Sequence, residues 1–275
     1  MSSSISASTS QHVVAFGQPI AGALYVPLPV LGEEKPFEVW TAGEDLLFGS
    51  IAHDVAEPLE RVSYATYASL IAQVREAGFP YFVRMWNYVG SINDEDAGRE
   101  RYQLFCAGRH DAFVEAGYHH DVDLPAASAV GMPGRGLITY FLAAREPGVQ
   151  VENPRQVAAY HYPAQYGPKS PSFSRATIWN GTVFVSGTSS VVGHKSVHHG
   201  DVDAQLDETL RNIEVVLAQT GRSLADVLTA KTYVRRADDY ARIAERLRGV
   251  FPRNLYLESD ICRADLLLEI ECVAG

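Results

Sequence analysis

Two carboxylates interrupt an apolar run near the C-terminus, which reads Asp265-Leu266-Leu267-Leu268-Glu269-Ile270-Glu271-Cys272-Val273. A stretch this apolar, bounded by charged residues, predicts a buried β-strand. A buried carboxylate loses its hydration, so it must find a partner or keep its proton at neutral pH. A carboxylic acid that keeps its proton is a ready general acid, and local rules tend to be broken at functional sites. Glu269 is therefore the candidate proton donor. The plainer reading is that both glutamates face solvent or form structural ion pairs.

The elements that must position this strand occur twice. In the first half, Glu44 to Gly49 predicts a short strand. Helical spacing follows in Tyr64, Tyr67, Leu70, Ile71 and Val74, ending at Gly78-Phe79-Pro80. Tyr81 to Val89 predicts a strand, Glu100 to Glu115 a helix, and Gly136 to Ala143 a closing strand. In the second half, Asn180-Gly181 between alternating apolar residues signals a hairpin. A helix over Val202 to Thr220 stops at Gly221, and a strand follows from Ala230 to Arg235. A helix near Asp239 to Val250 precedes the closing strand with Glu269. Each half reads strand, helix, strand, helix, strand, an α+β unit with helices on one face of a mixed sheet. Glu146-Pro147-Gly148 breaks the pattern. The predicted division is a tail and extension over 1–35, a first unit over 36–150 and a second over 151–275. The first closing strand has Tyr140-Phe141-Leu142-Ala143 where the second has Leu268-Glu269-Ile270-Glu271, so the active pocket is expected in the second unit.

Composition narrows the function classes. The chain has 275 residues, 47% of them apolar and 20% charged, the profile of a globular protein with a sizeable core. A net charge of -10 without a basic run argues against nucleic-acid binding, which needs a positive face. An anionic small substrate stays open, because a few arginines can reverse the local field. Cys106, Cys262 and Cys272 are sparse and lack CxxC spacing, which predicts reduced thiols in a cytoplasm. The Ser-rich Met1 to Gln11 predicts a frayed tail rather than a signal peptide. No apolar stretch reaches the roughly 20 residues of a membrane span.

Longer motifs add a family resemblance. His161-Tyr162-Pro163-Ala164-Gln165-Tyr166-Gly167-Pro168-Lys169-Ser170-Pro171-Ser172-Phe173-Ser174-Arg175-Ala176 resembles the chorismatase family. So do Gly193 to Asp201, Arg84 to Val89, Phe105 to Arg109 and Asp260 to Glu271, in order along the chain. The resemblance implies two fused YjgF-like units, only the C-terminal one holding the active pocket, and chorismate as substrate. It also implies a homotrimer. One branch of the family hydrolyses the enolpyruvyl ether; another releases pyruvate and aromatises the ring to 3-hydroxybenzoate. The hydrolytic type has alanine where this chain has Gly187 and Cys262, so the pair resembles the 3-hydroxybenzoate-forming type. A mixed 3- and 4-hydroxybenzoate producer, a YjgF-like imine or enamine deaminase and a non-catalytic ligand-binding protein remain as alternatives.

Under that resemblance the residues take roles. Glu269 protonates the terminal methylene of the enol ether, and its carboxylate then stabilises the resulting cation. The route calls for no metal or redox cofactor. Cys262 shapes a dry wall or assists proton transfer, against a plainer packing role. Gly187 leaves room for the ring. Arg175 and Arg109 are candidates to grip the two substrate carboxylates, against structural ion pairs. Tyr162 and Tyr166 can donate hydrogen bonds, against packing along a Pro-rich loop. His198-His199-Gly200-Asp201 predicts a turn or helix cap rather than a metal site, and His119-His120-Asp121 the same. Gly131 to Gly136 lacks the Lys-Ser/Thr of a phosphate loop.

Overall fold

Two sheets built on one plan face each other. The computed structural model describes residues 38–41, 45–53, 58–96, 98–251 and 253–275. The predicted tail over 1–35 lies outside them. In the first half, β1 (Glu38–Thr41) and β2 (Leu46–His53) form an antiparallel pair. Then come α1 (Leu59–Glu76), β3 (Tyr81–Gly90), a ribbon of β4 (Glu95–Asp96) with β5 (Arg99–Glu100), and α2 (Arg101–Glu115). β6 (Ala126–Met132) and β7 (Leu137–Ala144) close the sheet in the order β1-β2-β7-β3-β6.

The second half adds β8 (Val149–Val151), then β9 (Ala176–Trp179) and β10 (Thr182–Thr188). A ribbon of β11 (Val191–Val192) with β12 (Lys195–Ser196) leads into α3 (Val202–Gln219). β13 (Val227–Val234), α4 (Tyr240–Leu247), β14 (Asn254–Glu258) and β15 (Leu268–Ala274) follow. Their sheet order, β14-β13-β15-β10-β9-β8, repeats the first with one added edge strand. Each unit thus has an opening hairpin and a parallel pair reached through its second helix, β3 with β6 and β13 with β14.

Local chemistry explains the boundaries. Asn180 and Gly181 both take positive φ, as the tight hairpin between β9 and β10 requires. Asp201 caps α3, its side chain accepting from the backbone N–H of Asp203 and Ala204. Helices cover one face of each sheet: Tyr67, Leu70, Ile71 and Val74 of α1 pack on the first, and Leu206, Ile213, Val216 and Leu217 of α3 on the second.

Of the strands in the two sheets, the reading of five elements per half misses β1, β6, β8 and β14. β6 is Ala-Ala-Ser-Ala-Val-Gly-Met, poor in the branched and aromatic residues that mark strands. Its strand character comes from its neighbours: β3 on one side, and Thr177 Oγ1 and Ser186 Oγ, which accept from the N–H of Ala126 and Ala127.

Side chains on the uncovered faces meet between the units. Alternation along β15 sends Leu268, Ile270 and Cys272 to the helix side, which leaves Glu269 and Glu271 facing the other unit. In β3, Met85 and Val89 point to the helices, while Arg84, Trp86 and Tyr88 face β15 and β13. A cluster of Trp86, Tyr88, Val130, Ile138, Tyr140, Tyr233, Leu257 and Ile261 seals the contact.

Candidate active site

β10 carries a bulge where it passes β15. Val185 pairs with Cys272 and Thr188 with Ile270, so Ser186 and Gly187 together oppose Glu271. The extra residue brings the Gly187 backbone against the Glu269 side chain, leaving no room there for a Cβ.

Glu269 is 3% exposed, and its Oε1 has no hydrogen-bond partner among the described residues. Burial, reinforced by the nearby Glu271 charge, pushes its carboxyl up to about 8. It therefore holds a proton at neutral pH. For Glu271 burial also opposes ionisation, but Lys231 and Arg84 outweigh it and bring that carboxyl down to about 2. Two carboxyls on one strand face have been driven apart, one an acid and one a permanent anion.

Glu269 lines a cavity of about 560 Å³ between the units. That volume suits a small ligand, for which about 300–1,000 Å³ is usual. Most of the wall belongs to the second unit, including Gly187, Ser189, Cys262, Arg263 and Glu269. Glu100, Tyr102 and Gln103, at the start of α2 in the first unit, complete it. Cys262 is a free thiol that burial pushes up, so it presents S–H rather than thiolate.

The segment between β8 and β9 forms a polar side of the cavity. Two short 3-10 turns, Ala159–His161 and Ala164–Tyr166, set Tyr162 and Tyr166 against each other with ring centres 5.5 Å apart. Arg175 is 5% exposed and donates to Tyr162 Oη at 2.8 Å and to the Val157 carbonyl at 3.0 Å. Its Nε has no partner among the described residues. Arg263 stacks over the Tyr166 ring at 4.2 Å and the Tyr162 ring at 5.2 Å. It donates to the His194 carbonyl and Ser196 Oγ. Tyr162 thus stands between two guanidinium groups, a layout able to receive two anionic ends of one ligand.

The structure gathers Glu269, Cys262, Gly187, Arg175, Tyr162 and Tyr166 around this cavity. Arg109 is a correction. It lies in the core of the first unit, over the Tyr67 and Phe113 rings, with Met85 Sδ accepting from Nη2 at 3.8 Å, and it does not line the cavity. Its position on the inward face of α2 decides this, since that helix face packs on the sheet. Arg263, rather than Arg109, is the second guanidinium on the cavity wall beside Arg175. It adjoins Cys262, and that adjacency in the sequence was the signal available for it.

The histidine motifs form no metal centre among the described residues. His198 stands 3.8 Å from Glu208 and His199 3.4 Å from Asp265, around the turn that enters α3. No described helix is long and apolar enough to cross a membrane.

Comparison with known proteins agrees with this arrangement. Residues 29–143 match the family model described as chorismatase FkbO/Hyg5-like, N-terminal, and residues 167–275 the one described as endoribonuclease L-PSP. A 3-hydroxybenzoate synthase of Streptomyces hygroscopicus is 44% identical, covering 87% of this chain and 82% of its own. A chorismatase of Streptomyces rapamycinicus is 39% identical over 86% of this chain and 76% of its own. A chorismatase crystal structure superposes with a TM-score of 0.81 at 35% identity, covering 85% of this chain and 76% of that one.

Proposed function

The chain belongs to the chorismatase family, and from that membership we propose that it converts chorismate to 3-hydroxybenzoate and pyruvate, with Glu269 as general acid. The observation that carries the role of Glu269 is its buried carboxyl, with an unpartnered oxygen, on the wall of the cavity, where burial favours the protonated form.

Chorismate carries a ring carboxylate and a second carboxylate on its enolpyruvyl ether. Arg175 and Arg263, bridged by Tyr162, hold these two groups. Glu269 delivers its proton to the terminal methylene of the vinyl ether, which becomes a methyl group and leaves an oxocarbenium ion. The Glu269 carboxylate balances that cation. The ring hydroxyl beside the ether then attacks the neighbouring ring carbon as the ether C–O bond breaks. Pyruvate departs with the ether oxygen, and the hydroxyl proton returns to Glu269. The arene-oxide-like product opens to the phenol as the ring becomes aromatic. No water is consumed, so the atoms of chorismate equal those of the two products. Hydrolysis to the dihydroxycyclohexadiene carboxylate would consume one water.

Gly187 and the neutral Cys262 thiol, both on the cavity wall, add no charged or strongly hydrogen-bonding side chain to hold a water beside this centre, which supports the internal nucleophile. The second unit carries the acid and the first supplies a wall. The assembly proposed with this function is a homotrimer in the cytoplasm, to be read by sedimentation and fractionation.

Incubating the purified protein with chorismate and identifying products by mass and retention against standards tests the proposal. 3-Hydroxybenzoate and pyruvate in equal amounts are expected. A dihydrodiol as main product would reject the branch, and ammonia release from enamines without chorismate turnover would reject the substrate.

A further inference from the structure

Glu271 shares a strand face with Glu269 but does not line the substrate cavity. It is instead the centre of a polar network that joins the two units. Its Oε1 accepts from Trp86 Nε1 at 2.7 Å and Lys231 Nζ at 2.9 Å. Its Oε2 accepts from Arg84 Nη2 at 2.7 Å, Ser128 Oγ, and Tyr233 Oη at 3.3 Å. Three of these five donors, Arg84, Trp86 and Ser128, come from the first unit. A carboxylate saturated by five donors, two of them cations, has no reason to take up a proton. Ser128 does more than donate: its Oγ accepts from Arg84 and, at 3.0 Å, from the N–H of Gly187. One hydroxyl therefore ties Glu271 to the backbone that packs against Glu269.

We propose that Glu271 is a positioning residue: the first unit, through Arg84, Trp86 and Ser128, holds it as a fixed carboxylate whose charge keeps Glu269 protonated for the reaction. This rests on the reading of Glu269 as the acid. Residues two apart on a strand stand about 7 Å from each other, close enough for strong coupling between two side chains this buried. The other groups facing the pair are Arg84 and Tyr88 from β3, Lys231 and Tyr233 from β13, Arg175 ahead of β9, and Cys262 ahead of β15. Arg84 and Arg175 favour ionised Glu269; burial and Glu271 oppose them and prevail. Arg84, Lys231 and Glu271 together carry one net positive charge. Removing the Glu271 charge leaves Arg84 and Arg175, which favour the carboxylate, less opposed, and Lys231 without its counter-ion, so Glu269 loses its proton more readily. Removing the Lys231 charge does the reverse.

The test is kcat/KM for chorismate across pH 6 to 10, with the full-length protein. In Glu271→Gln the alkaline limb is expected to move at least about one unit lower. In Lys231→Met it should move to higher pH, and Lys231→Arg should restore it. Displacements of opposite sign separate an electrostatic role from a structural one, which would lower the rate without moving the limb. A limb fixed in either Glu271→Gln or Lys231→Met overturns the proposal. If Glu271→Gln does not fold, the lysine pair decides. Failure of the underlying reading looks different: wild type would not turn over chorismate, or turnover would survive Glu269→Gln.

Discussion

The Glu269 carboxyl occupies the space that a Cβ on residue 187 would fill. A methyl group on Gly187 would overlap Oε1 of Glu269 and come within 3.1 Å of Ser128 Oγ. Ser128 has no slack, since it is locked among Arg84, Glu271 and Gly187, so the Glu269 carboxyl would have to give way. Residue 187 therefore sets where the acid points, which supplies a physical reason for the glycine-versus-alanine contrast that the family resemblance implies.

Gly187→Ala should swing the Glu269 carboxyl into the cavity and loosen its alignment with the vinyl ether. A fall in kcat of at least about tenfold is expected, because misplacement of a reacting group is costly. The dihydrodiol share of product should rise. Chromatographic product ratios check this; an unchanged rate and ratio would show that the carboxyl has other room.

Glu269→Gln keeps shape and removes the proton. The rate should drop by about 10²–10⁴-fold, the range for loss of a general acid. Single-turnover assays with chorismate measure it, and near-normal turnover would remove Glu269 from its role.

The raised carboxyl gives a signed pH dependence. Glu269 must be protonated to act, so kcat/KM should fall about tenfold per unit above about pH 8. Folding runs against it. In the unfolded chain this carboxyl ionises near 4.5, whereas in the fold it resists until about 8. The folded state therefore loses stability as pH rises from 4.5 to 8, with the full penalty above 8. Glu269→Gln removes that penalty, so the variant should be more stable than wild type by about 1–3 kcal/mol at pH 8. The gap should close toward pH 5 in chemical denaturation.

Arg175→Lys and Arg263→Lys retain charge but lose the planar fork and the ring stacking. KM for chorismate should rise about tenfold in each. Initial-rate measurements decide it, and an unaltered KM in both would mean that the carboxylates are gripped elsewhere.

Arg109→Met tests the corrected residue. The guanidinium lies over Tyr67 and Phe113, away from the cavity. Thermal stability should change, while KM stays within about twofold of wild type. A KM increase like that of Arg175→Lys would restore Arg109 to the site.

Much of this is legible in the amino-acid sequence. Glu269 and Glu271 stand out because a strand with a buried face tolerates no idle charge, and the hairpin at Asn180-Gly181 follows from backbone chirality. β6 and β14 were hidden because small or short strands take their identity from the partners they pair with. Arg84, a charge inside the apolar run Tyr81 to Val89, carries the same kind of signal as the glutamates in β15, but the sequence alone assigns it no role. Its pairing with Glu271, 187 positions later, is a tertiary fact that no local pattern encodes. Arg109 misled because helix spacing alone does not tell which face of α2 meets the sheet.

The Arg84–Glu271 contact also bears on how such a molecule can be taken apart or recombined. Expressed by itself, the C-terminal half would present an anion stripped of three donors on a greasy surface, and the N-terminal half a guanidinium without its carboxylate in an equally greasy setting. Chimeras between relatives should accordingly succeed only when both halves of this lock are inherited from the same parent.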